Sequence, residues 1–537
     1  MRILWRHLWR ILPAILAFGL LAIQIAIPWT VPHFVTTDGP SHLYTAIIAK
    51  KLLFHQQPYT SLYRINPQIV PNWASTILLA CCASLVGVLH AEQLMMSLLL
   101  AIGFFSISYA IRSLSPRALR WTPLSNFLLQ TWFLWMGFYN FYLGMVLVPI
   151  GIGFYARRKG KLTTRDAALL GLGLVALFFV HLIAAAVLVL ALAILMVWLH
   201  NVRPLLWVKS ADSRPDDRQA VVLLCALAPV ILLGLIYVHA TSNGVPFQPN
   251  ILQSWNEFPM HGFATGDGAA GTQLYVWPAL LALIIIAALG MRRSEWRSAQ
   301  GGLAIATVAV FLTYLLVPDS GLGGTQVKVR FAWVVFVLGG LLVSSVARLQ
   351  PVRTPLALFV SVGLAFNLTA TAHIATAYSQ AVEDYLSALT SIRPGSTLIR
   401  LRYETRDIPE RYGLHWTGRD PLLHLDAYTA TRLGCIDLSD YQAPTAYFPV
   451  LFNSTVDHDA QYELLGLDDL NTSEGAVLEA LRHDLPVPID YAIVVADETS
   501  PQAPLAKVIA SGDSGMRLIA QSPGTPFVRV YQRIGAR

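Results

Sequence analysis

The sequence predicts a polytopic α-helical membrane protein that ends in a C-terminal extracytoplasmic mixed α/β domain. Three observations predict this class. The 537 residues are 55% hydrophobic and only 13% charged. Their apolar runs reach the roughly 20 residues that a helix needs to cross a hydrocarbon core about 30 Å thick. Charge is also segregated: residues 373–537 carry 21 acidic against 13 basic side chains, whereas the first 372 hold only ten acids. So many long apolar runs exclude a soluble core, and basic loops beside spans explain the positive balance without a nucleic-acid partner.

Along the chain, the basic segment Met1–Arg10 precedes an apolar run without a small-residue cleavage site, which predicts a retained first span. Spans are expected at 11–31, 73–91, 93–111, 122–156, 167–180, 182–199, 219–240, 274–290, 302–317, 331–347 and 356–372. The positive-inside rule puts the N-terminus, Arg157–Lys161, the Arg203–Arg218 loop, Arg292-Arg293, Arg348 and Arg353 in the cytoplasm. Parity then requires 122–156 to cross once net, with a kink or re-entrant piece near Gly137–Asn140. Arg112, Arg117 and Arg120 are left outside, against the rule. The result is about 11 net crossings in an inner-membrane protein with an outward C-terminus.

Two domains follow. Residues 1–372 form the membrane domain, with outward loops at 32–72, 241–273 and 318–330. Residues 373–537 form the outward α/β domain. In the latter, 374–392 and Ser473–Leu485 read as helices, and Thr397–Leu401, Ile489–Val495, Arg517–Ala520 and Phe527–Tyr531 as strands. Residues 41–57 read as an amphipathic helix along the membrane surface. Cys81, Cys82 and Cys225 fall in spans and Cys435 stands alone in the tail, so neither a disulfide framework nor a zinc spacing is present.

The candidate chemistry gathers on the outward side. Asp38, in Thr37-Asp38-Gly39-Pro40-Ser41-His42, is a carboxylate directly behind the first span. An acid at a low-dielectric boundary needs a partner or a role. It can serve as a base, as the N-cap of the following helix, or as both. His42, four residues on, shares its helix face. His181 interrupts the apolar run Ala167–Leu199 where two spans turn, on the same side as Asp38. Lys328 and Arg330 follow Gly323-Gly324-Thr325 at the outer end of a span and suit a phosphate, or snorkel to lipid headgroups. Glu257, His261 and Asp267 lie in the loop 241–273, where Pro259 argues against a regular helix. They are loop residues or, with Asp38, donors for a metal. Asn140 among aromatics reads as a structural kink. In the tail, His415, Trp416, His424 and Asp426 can face an acceptor, although their spacing does not say so.

An acid behind span one, membrane-parallel helices, many spans and an outward C-terminal domain together resemble the GT-C superfamily of integral-membrane glycosyltransferases. The resemblance covers the architecture of the whole chain, and its specific motif is the short Thr37–His42 segment. It is similar to the bacterial branch that modifies lipid A, lipopolysaccharide or protein. Many members carry Asp-Glu where this chain has Asp38-Gly39. The resemblance implies attack of an acceptor hydroxyl or amine on C1 of a polyprenyl-phosphate-linked sugar. Asp38 is then the base, His42 orients it, Lys328, Arg330 and His181 hold the donor phosphate, and Mg or Mn is an optional cofactor. The implied partners are the lipid-linked sugar, membrane lipid and an extracytoplasmic acceptor (a glycolipid, polysaccharide or protein). Two other classes compete. A non-catalytic factor in surface-polysaccharide assembly or secretion would keep the architecture and lack transfer. A transporter would need polar residues at mid-span, where this sequence has almost no acids.

Overall fold

The structure is a computed structural model and describes residues 2–115, 121–158, 161–200, 217–241, 250–264, 273–321, 326–402, 411–412, 422–445, 447–453, 487–495, 515–524 and 526–535. The expected Ser473–Leu485 helix, most of the Arg203–Arg218 loop, Arg117, Arg120, Gly323-Gly324-Thr325, Asp267, His415 and Trp416 lie outside the described residues.

The helices are α1 (Arg2–Ala26), α2 (Gly39–Leu53), α3 (Tyr59–Leu62), α4 (Trp73–Val86), α5 (Ala91–Leu114) and α6 (Thr122–Leu129). They continue with α7 (Trp132–Met136), α8 (Tyr139–Arg157), α9 (Thr164–Val180), α10 (Leu182–His200), α11 (Asp217–Thr241) and α12 (Ile251–Ala264). The last six are α13 (Gln273–Gly290), α14 (Arg293–Trp296), α15 (Ala299–Leu316), α16 (Val327–Ser345), α17 (Arg353–Ala388) and α18 (Leu425–Leu433). Among the described residues the strands are β1 (Tyr63–Ile65), β2 (Thr397–Arg402), β3 (Ile436–Asp437), β4 (Val450–Phe452), β5 (Tyr491–Val495), β6 (Met516–Gln521) and β7 (Val528–Arg533).

Among the described residues, eight helices are long and apolar enough to cross a membrane: α1, α5, α8, α10, α11, α15, α16 and α17. The protein is a multi-pass membrane protein. The expected spans at 73–91, 167–180 and 274–290 form helices outside that set. At 14 residues, α4 rises only about 21 Å. It is too short for a hydrocarbon core of about 30 Å.

The chain forms two compact units. One comprises Met1–Ile27 and Met96–Ala372, the other Pro28–Met95 and His373–Arg537. In the first unit α16 is the central helix, apolar and buried nearly throughout. Gly339 and Gly340 make that packing close. A Cβ at Gly339 would strike Ile284 of α13, and one at Gly340 would come within 2.8 Å of Leu128 of α6. Small residues let membrane helices approach in this way. Residues 122–157 are broken as expected: α6 ends at Leu129, and Gly137, at φ 80°, separates α7 from α8. Pro259 does not break α12, which runs from Ile251 to Ala264. A proline removes one helical N–H, and a membrane protein can re-satisfy the freed carbonyl.

In the second unit a five-stranded sheet has the order β3-β2-β5-β7-β6. β2 is parallel to β3 and β5, while β7 is antiparallel to β5 and β6. All five residues of β5 are buried, which agrees with a central strand of continuous apolar sequence. The segment 28–95 folds with the tail. β1 pairs antiparallel with β4, Tyr63 opposite Phe452. The Tyr59 hydroxyl donates to the Gly434 carbonyl at 3.1 Å, and Asn66 Nδ2 to that of Phe448 at 2.9 Å. The helix expected along the membrane surface is therefore different in kind. α2 packs between α4 and α18, and eleven of its 15 residues are buried. That burial covers both sides and leaves no single apolar face.

Candidate functional site

Asp38 occupies the N-cap position of α2, and its carbonyl accepts from the His42 N–H at 3.0 Å. Its carboxylate, however, makes no capping hydrogen bond. It turns to the tail. Burial and then the Asp38 charge push the Tyr441 phenol up, and His424 Nε2 lies 3.6 Å from Oδ1, an ion-pair distance rather than a hydrogen bond. Only 14% of the Asp38 side chain is exposed.

The groups behind it are fixed in turn. The His424 ring stacks on Tyr441 at 4.7 Å. Arg400, on β2, lies with Nη1 3.3 Å from His424 Nδ1 and 3.1 Å from Asp426 Oδ1. Gln442 ties His42 into the same network. Its Oε1 accepts from Thr45 Oγ1 at 2.8 Å, so its Nε2 donates to His42 Nδ1 at 3.0 Å and to the Tyr441 oxygen at 3.2 Å. Burial pushes the His42 imidazole down to about 4. It is neutral at neutral pH and is linked to Tyr441 through Gln442.

Three more tail acids are buried here. Asp426 is held above the carboxylate range by burial, although Arg400 opposes the shift. Asp437 is driven well above it by burial and by Asp426 and Asp440. Burial pushes Asp440 up to about 7, with Gln442 N–H donating to its Oδ1 at 3.1 Å. The sign of the consequence is definite. Between the ordinary value of about 3.9 and about 7, the folded chain holds a proton that the unfolded chain has released, so stability falls as pH rises. Asp440→Asn removes this loss. Its thermal stability relative to wild type is expected to grow from pH 4 to pH 7 by an amount on the order of 4 kcal/mol, measured as unfolding midpoints at pH 4, 5.5 and 7. A difference that stays flat with pH would contradict it.

Gly39 has a steric reason. A Cβ there would overlap the Glu92 carboxylate and crowd Thr36 Oγ1. Glu92, 2% exposed, accepts from Thr36 N–H at 2.7 Å and from Thr36 Oγ1 at 2.6 Å. The Gly39 N–H donates to Thr36 Oγ1 at 3.1 Å. The place that a side chain at 39 would take, next to Asp38 in sequence, already holds a carboxylate.

In the first unit, His181 is the extended residue between α9 and α10, and its Nδ1 accepts from the Ile183 N–H at 3.2 Å. Arg330, in the first turn of α16, places Nη1 3.3 Å from His181 Nε2. Its guanidinium lies 5.0 and 5.2 Å from the Phe138 and Phe141 ring centres. These are cation–π distances. Lys328 is buried, with Nζ 3.9 Å from Glu257 Oε2. Gln253 Nε2 donates to the other Glu257 oxygen at 2.7 Å. His181, Arg330, Lys328 and Glu257 thus belong to one unit, and Asp38 and His42 to the other.

The chain is similar over 99% of its length to 98% of ArnT from Cupriavidus metallidurans bound to undecaprenyl phosphate, at 12% identity and a TM-score of 0.50. The fold is GT-C-like. The apo state of the same protein aligns over 97% of both chains at 11% identity, with a TM-score of 0.47. The Archaeoglobus fulgidus oligosaccharyltransferase, in complex with Zn and sulfate, aligns over 90% of this chain and 67% of its own at 11% identity and 0.43. No family model and no curated protein matches the sequence.

Among the described residues, no three His, Cys, Asp or Glu side chains could hold a metal ion. Glu257 is engaged by Lys328 and Gln253, His261 is on α12, and Asp267 lies outside the described residues. The residues that a sequence reading passes over are Glu92, Arg400, Asp437, Asp440, Tyr441 and Gln442. The available signal was Asp437-Leu438-Ser439-Asp440, two acids three apart beside short apolar runs, where carboxylates are rarely buried without a purpose.

Proposed function

We propose that the protein transfers a sugar from a polyprenyl-phosphate donor to an extracytoplasmic acceptor, with Asp38 as the general base. The observation that carries this reading is the Asp38 carboxylate. It declines its cap and lies beside His424 with little exposure, its charge felt by Tyr441. The similarity to a protein bound to undecaprenyl phosphate supports the donor class. In the reaction the acceptor oxygen or nitrogen bonds to C1 of the sugar, the bond from C1 to the phosphate oxygen breaks, and polyprenyl phosphate leaves with its electron pair. The acceptor proton passes to Asp38.

The phosphate calls for fixed donors, and the cluster at α16 offers them. Arg330 Nη1 lies 3.3 Å from His181 Nε2, which sets the guanidinium and the imidazole side by side at the start of α16. A phosphate oxygen accepts from the guanidinium, and Lys328 adds charge.

The test is sugar transfer from a radiolabelled polyprenyl-phosphate donor pool, with wild type and Asp38→Asn in nanodiscs. The variant is expected to fold and to lose transfer about 10²–10⁴-fold, the range for a general base. Undiminished transfer by Asp38→Asn would remove the base. Absence of transfer by wild type from every donor would favour a non-catalytic factor in surface-polysaccharide assembly.

A further inference from the structure

The tail reaches Asp38 through side chains far from it in sequence. Asp426 and Arg400 are a buried pair, their side chains 1% and 7% exposed, with Oδ1 and Nη1 3.1 Å apart. The same Nη1 lies 3.3 Å from His424 Nδ1. A guanidinium has no acceptor, so Nδ1 must accept and the imidazole proton sits on Nε2. That nitrogen is the one 3.6 Å from Asp38 Oδ1. The ring face is set as well, by the stack on Tyr441. Asp426 is in the first turn of α18, where the helix dipole favours its charge. α18 packs directly against α2, which starts at Asp38. The two helix starts and β2 therefore bring four side chains into a line.

We propose that His424 is a positioning residue for Asp38, with Arg400 and Asp426 fixing its proton on Nε2. The proposal rests on Asp38 as the base. His424 keeps the carboxylate aimed, and the line from Asp426 sets the tautomer, as second partners do for histidines at reactive centres. The C-terminal domain is in this way part of the base rather than a separate acceptor module.

Two measurements on the full-length protein in nanodiscs test it. The first is histidine ¹⁵N spectroscopy, which needs no turnover. His424 is expected to show an unprotonated Nδ1 and a protonated Nε2, and the Nε2 signal is expected to move in Asp38→Asn. A protonated Nδ1 with a bare Nε2, or a His424 signal indifferent to Asp38→Asn, overturns the proposal. The second is steady-state kinetics. His424→Phe keeps the ring stack and is expected to lower kcat about 10–100-fold with the donor KM unchanged within about 2-fold. His424→Gln, which retains an N–H, is expected to recover part of that loss. Transfer lost in Asp38→Asn but intact in His424→Phe overturns this proposal alone. Transfer that survives Asp38→Asn overturns the base reading and this proposal with it.

Discussion

Gly39→Glu, which writes the Asp-Glu pair of many GT-C members into this chain, is expected to unfold the region around Asp38 rather than improve the site. The new Cβ would overlap the carboxylate of Glu92. Glu92 cannot simply swing away, because Thr36 N–H and Oγ1 hold it at 2.7 and 2.6 Å in a buried position. Moving it breaks two hydrogen bonds to a charged group, and a second carboxylate is buried beside the first. Together these cost about 3–5 kcal/mol, the scale for an uncompensated buried charge. The check is the unfolding midpoint in detergent together with recovery of folded protein from membranes. A compensating pair sharpens the test. Gly39→Glu with Glu92→Ala opens the space and returns one carboxylate to it, so the double variant is expected to be more stable than Gly39→Glu alone. Additive losses would show that the steric account is wrong.

With the donor-phosphate site proposed above, Arg330→Gln is expected to weaken binding of a polyprenyl phosphate about 10–100-fold, the equivalent of one or two charge-assisted hydrogen bonds. Arg330→Lys is expected to recover little of it. The guanidinium stands between two aromatic faces with Nη1 directed at His181. A lysine ammonium is a point charge, which keeps the sign but loses the planar fork and the stacking. Native mass spectrometry of purified protein with added lipid phosphate reads this directly and needs no knowledge of the sugar. Unchanged affinity in Arg330→Gln would assign the residue to helix packing alone.

Both variants depend on features of different legibility. Arg330, Lys328 and His181 stand out in the sequence because each is a polar residue at the end of an apolar run. Asp38 stands out because acids are scarce before residue 373. Glu92 is one of the same ten acids, and nothing in its neighbourhood distinguishes it. Arg400, Tyr441 and Gln442 lie in ordinary tail sequence, where charged and polar residues are common and local pattern has little to report.

The sequence by itself determined what local chemistry can encode. Apolar length set the membrane class, short apolar runs between turn residues set β2, β5, β6 and β7, and His181 marks the break between α9 and α10. Proline at the start of α2 and the glycine at 137 mark a helix start and a helix break for the same local reason. Tertiary structure alone decided that residues 28–95 fold with the tail, and that β1 finds β4 nearly 400 positions later. It also decided which side chain fills the space left by Gly39 and which histidine meets Asp38. These are contacts between segments distant in the chain. Periodicity and capping record the backbone's preferences within a few residues, whereas the partner of a buried carboxylate is chosen by packing, once the helices that carry both have met.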